Sequence, residues 1–470
     1  MRASAFGTAL RVGRLRRGIV EFLTVPLLAA AALCAAAVVV AFLDNQGGDS
    51  LVRRAAQEIV PPSGAAAFIG VVATSLMTVT SITFSVLLVA VQQTASSLSA
   101  VVFDQYLRRR SNQLHLGYFV GSTAFCFIVA ATARSSPAPV YGAIAALVLA
   151  VGCLVALLLV IHSTVDQMRP ESVVHSIHEL ALRAHERELE LLRGTRQKRR
   201  TPPGTEARAV RASASGYVVS VDARALAQVA RAAGPDAEVL VTCQMGTYIA
   251  LGEPVARVAG MAAHDDGSDA DVLAAFRFDD TRRVEVDAGY SIDQLENIAW
   301  MTGTSASQSP YTASAAIDEL RDLAGQWAIA DERRQQTASE GPEPLPVVYQ
   351  DGATSRVLRA LATLLVGSSE SQQAHTDALI VNSFAHVLPQ LTAEHDLQEV
   401  TRSLDAALPS ITEHAALPAL EAALSELVDA LDDVGRDARR VKQVQARLRS
   451  AGAFLQQGRP DTEQNPTACT

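Results

Sequence analysis

The stretch that decides the fold is Pro139–Ile161, which reads PVYGAIAALVLAVGCLVALLLVI and contains no charged residue. A helix of about 20 apolar residues crosses the roughly 30 Å hydrocarbon core of a bilayer, so this stretch predicts a transmembrane helix. Three more apolar runs precede it, at Ile19–Leu43, Ala65–Val91 and Leu116–Ala133. We therefore predict a four-helix transmembrane domain over residues 1–165.

The distribution of arginines around these runs predicts the orientation of the chain. Arginines cluster before the first run, between the second and third runs, and after the fourth run. These arginines are Arg2, Arg11, Arg14, Arg16, Arg17, Arg108, Arg109, Arg110, Arg169, Arg183 and Arg187. Positively charged loops resist translocation and stay in the cytoplasm. Both termini are therefore expected to be cytoplasmic, in a bacterial plasma membrane.

The composition of the 470-residue chain excludes several classes of protein. The net charge is −9, which disfavours general binding to nucleic acid. The five cysteines form no CxxC pair, so neither a disulfide framework nor a zinc site built on cysteines is expected. The chain contains no HExxH, no GxSxG, no phosphate loop and no Cys–His arrangement. We expect no enzymatic activity, no cofactor and no metal, and membrane lipid is the first expected partner.

The second apolar run carries hydroxyl side chains at helical spacing. Thr74, Thr78, Ser81 and Ser85 are separated by four, three and four residues, which places them on one face of a helix. Such a stripe can line a pore. Alternatively, each hydroxyl bonds to a carbonyl of the preceding turn and the face packs against another helix, which is the more common arrangement.

Two glycines in the third run predict a close helix contact. Gly117 and Gly121 form a GxxxG motif, which lets two helix backbones approach each other. No Asp, Glu, Lys or Arg lies deep within any of the four runs. Because ion-coupled transporters usually need an ionisable group in the membrane, a proton-driven transporter is disfavoured, whereas a passive channel is not.

Residues 166–205 are predicted to form a juxtamembrane helix and a basic linker. Apolar residues at helical spacing continue from Asp166 to Arg193, so the fourth transmembrane helix is expected to extend into the cytoplasm. This helix carries His175, His178 and His185. Residues seven positions apart on one helix are about 10 Å apart along its axis, so His178 and His185 cannot share one metal ion. A solvated helix is the expected state of these histidines.

The next two segments change from a helical to a mixed pattern. Residues 206–262 are predicted to form a small β module, with strands such as Gly216–Val221 separated by glycine turns. This pattern resembles the barrel-sandwich fold of biotinyl and lipoyl carriers. The lysine that would carry the cofactor is missing, because no lysine lies between Lys198 and Lys442. Residues 263–340 are predicted to be an α-rich segment.

Residues 341–470 are predicted to be a helical region with a disordered tail, helical throughout from Arg356 to Leu455. Apolar residues hold a heptad register from Leu420 to Leu448, with Gln445 as the one polar member. Either a coiled-coil oligomer or a bundle within one chain satisfies this pattern. The predicted fold class is thus an α-helical membrane domain plus a cytoplasmic α+β region with a helical C-terminal segment.

The order of these features resembles a bacterial membrane-protein family known as domain of unknown function 2254. The resemblance covers roughly Phe22 to His386. The motifs that carry it are Thr24–Pro26, Thr78–Gln92, Leu116–Gly121, Ile161–Ser163, Ser215–Asp222 and Gly246–Val258. Together these motifs are specific, but the family name implies no activity.

One departure from the family pattern concerns the segment SPAxNDPxTA. In this chain Gln308 and Ser309 replace the Asn and Asp, and Pro310 and Thr312 match. If the Asn–Asp pair binds an ion or performs chemistry in the family, this chain has lost it. If the pair caps the following helix, Ser309 can take over that role.

The sequence leaves two function hypotheses open. The first is a membrane-anchored scaffold or sensor whose cytoplasmic modules bind a protein partner or form a homo-oligomer. The second is an oligomeric channel or passive permease lined by the second transmembrane helix. For a channel, Thr78→Leu or Ser81→Leu would alter conductance. For a scaffold, deletion of Ala419–Leu455 would abolish assembly.

Overall fold

The computed structural model describes residues 2–46, 51–97, 110–133, 138–167, 169–192, 194–200, 207–260, 266–304, 310–338, 343–411 and 417–457. The chain divides into two compact units, Met1–Val173 and Val174–Thr470. We call them the membrane unit and the C-terminal unit. The boundary between the units lies close to the point where the long apolar stretches of the sequence end and apolar and polar residues begin to alternate.

The described residues of the membrane unit form four long, largely apolar helices and one short helix. They are α1 (Arg2–Gln46), α2 (Leu51–Ile59), α3 (Ala65–Ser97), α4 (Arg110–Thr132) and α5 (Val140–Gln167). All except α2 contain a stretch long and apolar enough to cross a membrane. These stretches are Leu23–Gln46, Ala65–Val86, Gln113–Thr132 and Val140–Ser163. The prediction of four helices long and apolar enough to cross a membrane is confirmed.

Helices α1 and α4 approach each other closely at two glycines. A Cβ atom added to Gly117 would lie 2.8 Å from the carbonyl oxygen of Pro26. One added to Gly121 would lie 2.9 Å from the Cα atom of Ala30. The backbones can come this close only because both positions lack a side chain.

Polar groups cap the start of α5. The carboxylate of Asp44, at the end of α1, accepts hydrogen bonds from the backbone N–H groups of Tyr141 (3.0 Å) and Gly142 (2.8 Å). Arg53 on α2 donates to the carbonyl oxygen of Ala138 at 3.0 Å. The first N–H groups of a helix have no partner within the helix, so a carboxylate satisfies them and complements the helix dipole. These bonds tie α1 and α2 to α5.

A separate helix, α6 (Pro170–Leu192), follows α5. The expectation that the fourth membrane helix continues without a break is wrong, since α5 ends at Gln167 and α6 begins at Pro170. Proline has no N–H to donate to an existing helix, whereas it suits the first turn of a new one.

The β module contains two small sheets. Its elements are β1 (Ala207–Arg211), β2 (Gly216–Val221), α7 (Ala223–Ala233), β3 (Glu238–Val241), β4 (Tyr248–Ile249), β5 (Pro254–Ala259), α8 (Asp266–Ala274), β6 (Phe276–Asp279) and β7 (Val347–Val348). The strand orders are β1-β5-β3-β7 and β4-β2-β6. Within the described residues these sheets are open, and no closed barrel is formed. The barrel-sandwich form is therefore not confirmed, although the predicted strands are present.

Part of the predicted basic linker is bound to the β module. Arg196 forms a parallel bridge with Val348, and its N–H donates to the carbonyl oxygen of Val347 at 2.8 Å. Tyr349 donates its N–H to the carbonyl oxygen of Arg196 at 3.0 Å. Arg196 thus lies against the edge of the sheet beside β7.

The other described residues of the C-terminal unit are mainly helical. Its helices are α9 (Ala288–Gly303), α10 (Pro310–Ala338), α11 (Ala353–Glu370), α12 (Ala374–Val387), α13 (Glu394–Ala407), α14 (Pro418–Asp433) and α15 (Arg439–Gln457). Short 3₁₀ turns follow α12 and α13, at Leu388–Gln390 and Leu408–Ser410. Continuous helix from Arg356 to Leu455 is therefore wrong. A proline starts α14 and lies in each 3₁₀ turn, which explains these interruptions.

The heptad residues lie inside the chain's own bundle. Leu420, Leu424, Leu427 and Leu431 on α14 are buried, as are Val441 and Leu448 on α15. The two helices are separated near Gly435, which has a φ of 69°. Gln445 donates to the hydroxyl of Ser425 at 2.6 Å and so finds its polar partner on α14. Because one chain buries this stripe, it does not require a coiled-coil partner.

Candidate functional site

One side of α6 carries a line of ionisable residues that contact α10 and the segment after β7. The residues are His175, His178, His185 and Glu188, and we call this set the polar face. His175 contacts Glu319, His178 contacts Asp322 and His185 contacts Trp327, so α6 and α10 run in the same direction. The polar face has an exposed end at His175 and an enclosed end at Glu188.

At the exposed end, two histidines share the carboxylate of Glu319. The Nδ1 atom of His175 lies 2.9 Å from Oε1 of Glu319, and the Nδ1 atom of His178 lies 3.3 Å from Oε2. The Nε2 atom of His178 lies 2.9 Å from Oδ2 of Asp322. The side chain of His178 is only 6% exposed, whereas that of His175 is 62% exposed. Hydrogen bonding to Glu319 raises the pKa of His175.

The exposed end is the one group of described residues with the geometry to hold a metal ion. A donor atom from each of His175, His178 and Glu319 lies within 4.8 Å of the other two. The histidines are three residues apart on one turn of α6, and the carboxylate comes from α10. His185 is not part of this group of donor atoms.

At the enclosed end, a chain of hydrogen bonds joins three elements. The hydroxyl of Tyr349 donates to Oε1 of Glu188 at 2.7 Å, and it accepts from the backbone N–H of Met245 at 3.1 Å. Tyr349 is only 1% exposed. Glu188 is half-buried as a residue, and its carboxylate is the enclosed part. Helix α6, the turn before β4 and the segment after β7 therefore meet at one carboxylate.

The surroundings of Glu188 favour its protonated form. Burial and the nearby negative charge of Asp351 raise the pKa of Glu188 to about 8, against an ordinary value of 4.5. The bond from Tyr349 and the charge of Arg334 only partly oppose this rise. At neutral pH the carboxyl group of Glu188 is thus predominantly neutral.

Other ionisable groups surround Glu188. His185 is buried, its Nε2 atom lies 3.5 Å from Oδ2 of Asp351, and its ring packs against Trp327 at a tilt of 41° with centroids 4.6 Å apart. Burial lowers the pKa of His185, so this ring is neutral at pH 7. Burial and the charge of Asp351 raise the pKa of Asp331. Buried groups with displaced pKa values that lie together are typical of functional sites.

A neighbouring ion pair fixes the position of the β module turn. Arg282 donates two hydrogen bonds to Asp287, at 2.6 and 3.1 Å, and Asp287 also accepts from the N–H of Tyr290 at 2.9 Å as the N-cap of α9. Gly246 lies directly against this carboxylate and has a φ of 75°. The turn that carries Met245 is therefore held between Asp287 and Tyr349.

The hydroxyl stripe of α3 lies on the outer surface of the membrane unit. Thr74, Thr78 and Ser85 each donate to the carbonyl oxygen four residues earlier, at 3.0 Å in every case. The side chains of these three residues and of Ser81 are exposed in the single chain. They do not line a space between the helices of one chain.

The family-motif positions lead into α10. Gln308 and Ser309 lie outside the described residues. Pro310 is the first residue of α10, and Thr312 is buried in its first turn. The helix that this motif starts is the one that carries Glu319 and the other α10 residues that contact the polar face. The hydroxyl stripe, the glycine pair and the family motif are not brought together in one site.

The acidic partners of the polar face carry no motif of their own in the sequence. Glu319 and Asp322 are three residues apart, as are His175 and His178. This equal spacing would let one turn of the first helix face one turn of the second. That signal becomes useful only when the pairing of α6 with α10 is known. Tyr349 and Asp351 follow a two-residue strand and carry no motif.

Comparisons with known proteins identify one family. A family model described as "Predicted membrane protein (DUF2254)" matches residues 20–380 of the chain. The matched region includes α6, α10 and Tyr349. No protein with a curated description and no solved structure matches the chain.

Proposed function

The chain belongs to the predicted membrane protein family DUF2254. For this membrane protein we propose the function of a membrane-anchored sensor. In this proposal the four spans hold the protein in the membrane. When the charge of the polar face changes, the packing of the β module against the helices of the C-terminal unit changes with it. The observation that carries the proposal is the enclosed carboxyl group of Glu188, bonded to Tyr349 at 2.7 Å.

A purely structural scaffold has no need of this arrangement. Burying ionisable groups costs free energy, and apolar residues of similar size often give equal or greater stability at such positions. Glu188 connects α6 to the β module through Tyr349 and Met245, so a negative charge on it acts on both elements. A group whose charge state alters such a connection is a means of detecting protons or a cation.

The proposal includes the location and partners of the protein. The arginine distribution supports cytoplasmic termini in a bacterial plasma membrane. The C-terminal unit would then face the cytoplasm, where its signal passes to a protein partner or to a second copy of the chain. The channel alternative draws less support, because hydroxyls of the α3 stripe bond to their own helix. A channel would need copies of the chain to enclose that stripe.

Glu188→Gln is expected to remove much of the pH response of the C-terminal unit between pH 7 and 8. The folded-state pKa of Glu188 is raised, so its contribution to stability is complete below about pH 4.5 and is lost as the pH rises to about 8. A glutamine stays neutral and still accepts the hydrogen bond from Tyr349. In the wild type, local opening of the backbone at Met245 and Tyr349 should increase several-fold, and by at most about tenfold, between pH 7 and 8 and should level off above pH 8, whereas the variant should show a much smaller change.

Hydrogen exchange of the full chain in lipid nanodiscs measures this response, after correction for the intrinsic pH dependence of exchange. Glu190→Gln is the matched control, because Glu190 is exposed on the same helix. The pKa of Asp377, about 6, and the lowered pKa of His185 both lie below this pH window. Equal pH responses of the wild type, Glu188→Gln and Glu190→Gln would contradict the proposed function.

A further inference from the structure

We infer that His175, His178 and Glu319 form a binding site for a divalent transition-metal ion of the zinc type. The inference deepens the proposed function, on which its biological role rests, because it names a cation that the polar face would detect. Two nitrogen donors from one turn of α6 and one oxygen donor from α10 converge at the exposed end of the polar face.

The ring of His178 gives an independent indication that a cation belongs here. Its side chain is 94% buried, the complement of its 6% exposure, and its Nδ1 atom makes no hydrogen bond. When Nε2 donates its proton to Asp322, a neutral imidazole keeps a lone pair on Nδ1. That lone pair faces Oε2 of Glu319 at 3.3 Å. Two acceptors that face each other in a buried position are stabilised by a positive ion between them.

The pairing of His178 with Asp322 matches the surroundings of known metal ligands. A histidine that binds a metal through one ring nitrogen usually donates from the other nitrogen to a carboxylate or carbonyl group. This second bond fixes the tautomer and the orientation of the ring. Asp322 itself accepts from the side-chain amide of Gln326 at 2.6 Å, so the supporting carboxylate is also held in place.

The donor set and its spacing select the class of ion. Two imidazoles and one carboxylate suit Zn²⁺ and its neighbours in the first transition row, whereas Ca²⁺ and Mg²⁺ prefer oxygen ligands. Metal–ligand bonds of about 2.0–2.2 Å in a tetrahedron separate the donor atoms by roughly 3.4 Å. Nδ1 of His175 lies 2.9 Å from Oε1 of Glu319 and Nδ1 of His178 lies 3.3 Å from Oε2. One donor atom from each residue can be chosen so that all three lie within 4.8 Å of one another, so small side-chain rotations would bring them around one ion. Exposure of His175 leaves a coordination position open to water.

A bound ion would act on the remainder of the polar face. It would link α6 and α10 by coordination bonds near the start of α6. Glu188 lies ten residues beyond His178 on the same helix, a distance of about 15 Å. Fixing the two helices against each other at the exposed end restricts their movement at the enclosed end. Metal binding and the charge of Glu188 would thereby influence the same helix pairing.

Calorimetric titration of Zn²⁺ into the metal-stripped full chain in lipid nanodiscs tests the site. We expect one ion per chain, and Co²⁺ should give the intense visible bands of a four-coordinate site. Glu319→Gln and His178→Gln should each weaken binding by more than about 100-fold, and Asp322→Asn by about 10- to 100-fold. His375→Gln, at an exposed histidine on α12, is the matched control and should bind as the wild type does.

The inference is overturned if the wild type binds no stoichiometric Zn²⁺, or if Glu319→Gln and His178→Gln bind as tightly as the control. Unchanged circular dichroism and gel-filtration profiles establish that the variants are folded, and Asp322→Asn gives a milder change if they are not. Hydrogen exchange at Met245 and Tyr349, measured with and without Zn²⁺, separates the two proposals. Binding without a change in exchange supports the metal site and contradicts its role in sensing. No binding, together with an intact pH response, overturns the metal site and leaves the sensor supported.

Discussion

Gly246→Ala is expected to destabilise the C-terminal unit by roughly 3 kcal/mol. Gly246 has a φ of 75°, a left-handed conformation that costs an alanine about 1 kcal/mol. A Cβ atom there would also collide with the carboxylate of Asp287. That carboxylate cannot simply move away, because Arg282 and the N–H of Tyr290 both hold it.

Gly252→Ala is the matched control for this experiment. Gly252 has a φ of 85° in the same β module, and an added Cβ would meet no atom within 4 Å. It therefore carries the conformational cost without the collision. Trp300 and Trp327 are the two tryptophans of the chain, so tryptophan fluorescence during denaturation reports the C-terminal unit alone. Equal midpoints for the two alanine variants would contradict the packing of the turn against Asp287.

Gly121→Ala is expected to destabilise the membrane unit by roughly 2 kcal/mol. An added Cβ would lie 2.9 Å from Cα of Ala30 and 2.7 Å from Cδ1 of Leu33, both on α1. Two helix backbones would have to separate, and the contacts between α1 and α4 would loosen along their length.

Gly70→Ala is the corresponding control on α3, because nothing lies within 4 Å of its added Cβ. Alanine favours helix more than glycine does, so this variant should be as stable as the wild type or slightly more so. Thermal unfolding of the full chain in one detergent compares the two variants. A loss of stability for Gly70→Ala equal to that for Gly121→Ala would show that the α1–α4 contact is not the cause.

The membrane spans could be predicted because each depends only on local composition. A run such as Pro139–Ile161 is apolar enough to define a membrane helix without knowledge of its neighbours. The strand Gly216–Val221 and the helix that begins at Pro310 were predictable for the same reason. Their local patterns agree with the fold that forms.

The C-terminal helices show where local patterns are insufficient. Heptad spacing from Leu420 to Leu448 is compatible with a coiled coil and with a bundle. Burial of these residues within one chain is a tertiary property, and the interruption near Gly435 is a single-residue event. A pattern of apolar positions does not show which residues will cover them in the folded protein.

The polar face could not be predicted because it is created by the pairing of helices. In the sequence, His178 and Glu188 resemble the hydrophilic side of a solvated helix. They become a site because α10 contributes Glu319 and Asp322 and because Tyr349 reaches α6 from the β module. The residues that matter most lie more than 140 positions apart.

Infrared difference spectroscopy of the full chain tests most directly whether Glu188 carries a proton at neutral pH. The protonated carboxyl group absorbs apart from carboxylates, and Glu188→Gln identifies its band. We expect a protonated-carboxyl band at pH 7 that disappears with a midpoint near the pKa of about 8. This band should be missing from Glu188→Gln and unchanged in Glu190→Gln. If the wild type and Glu188→Gln have identical spectra from pH 6 to 9, Glu188 is already ionised and the polar face is not a sensor of the kind proposed.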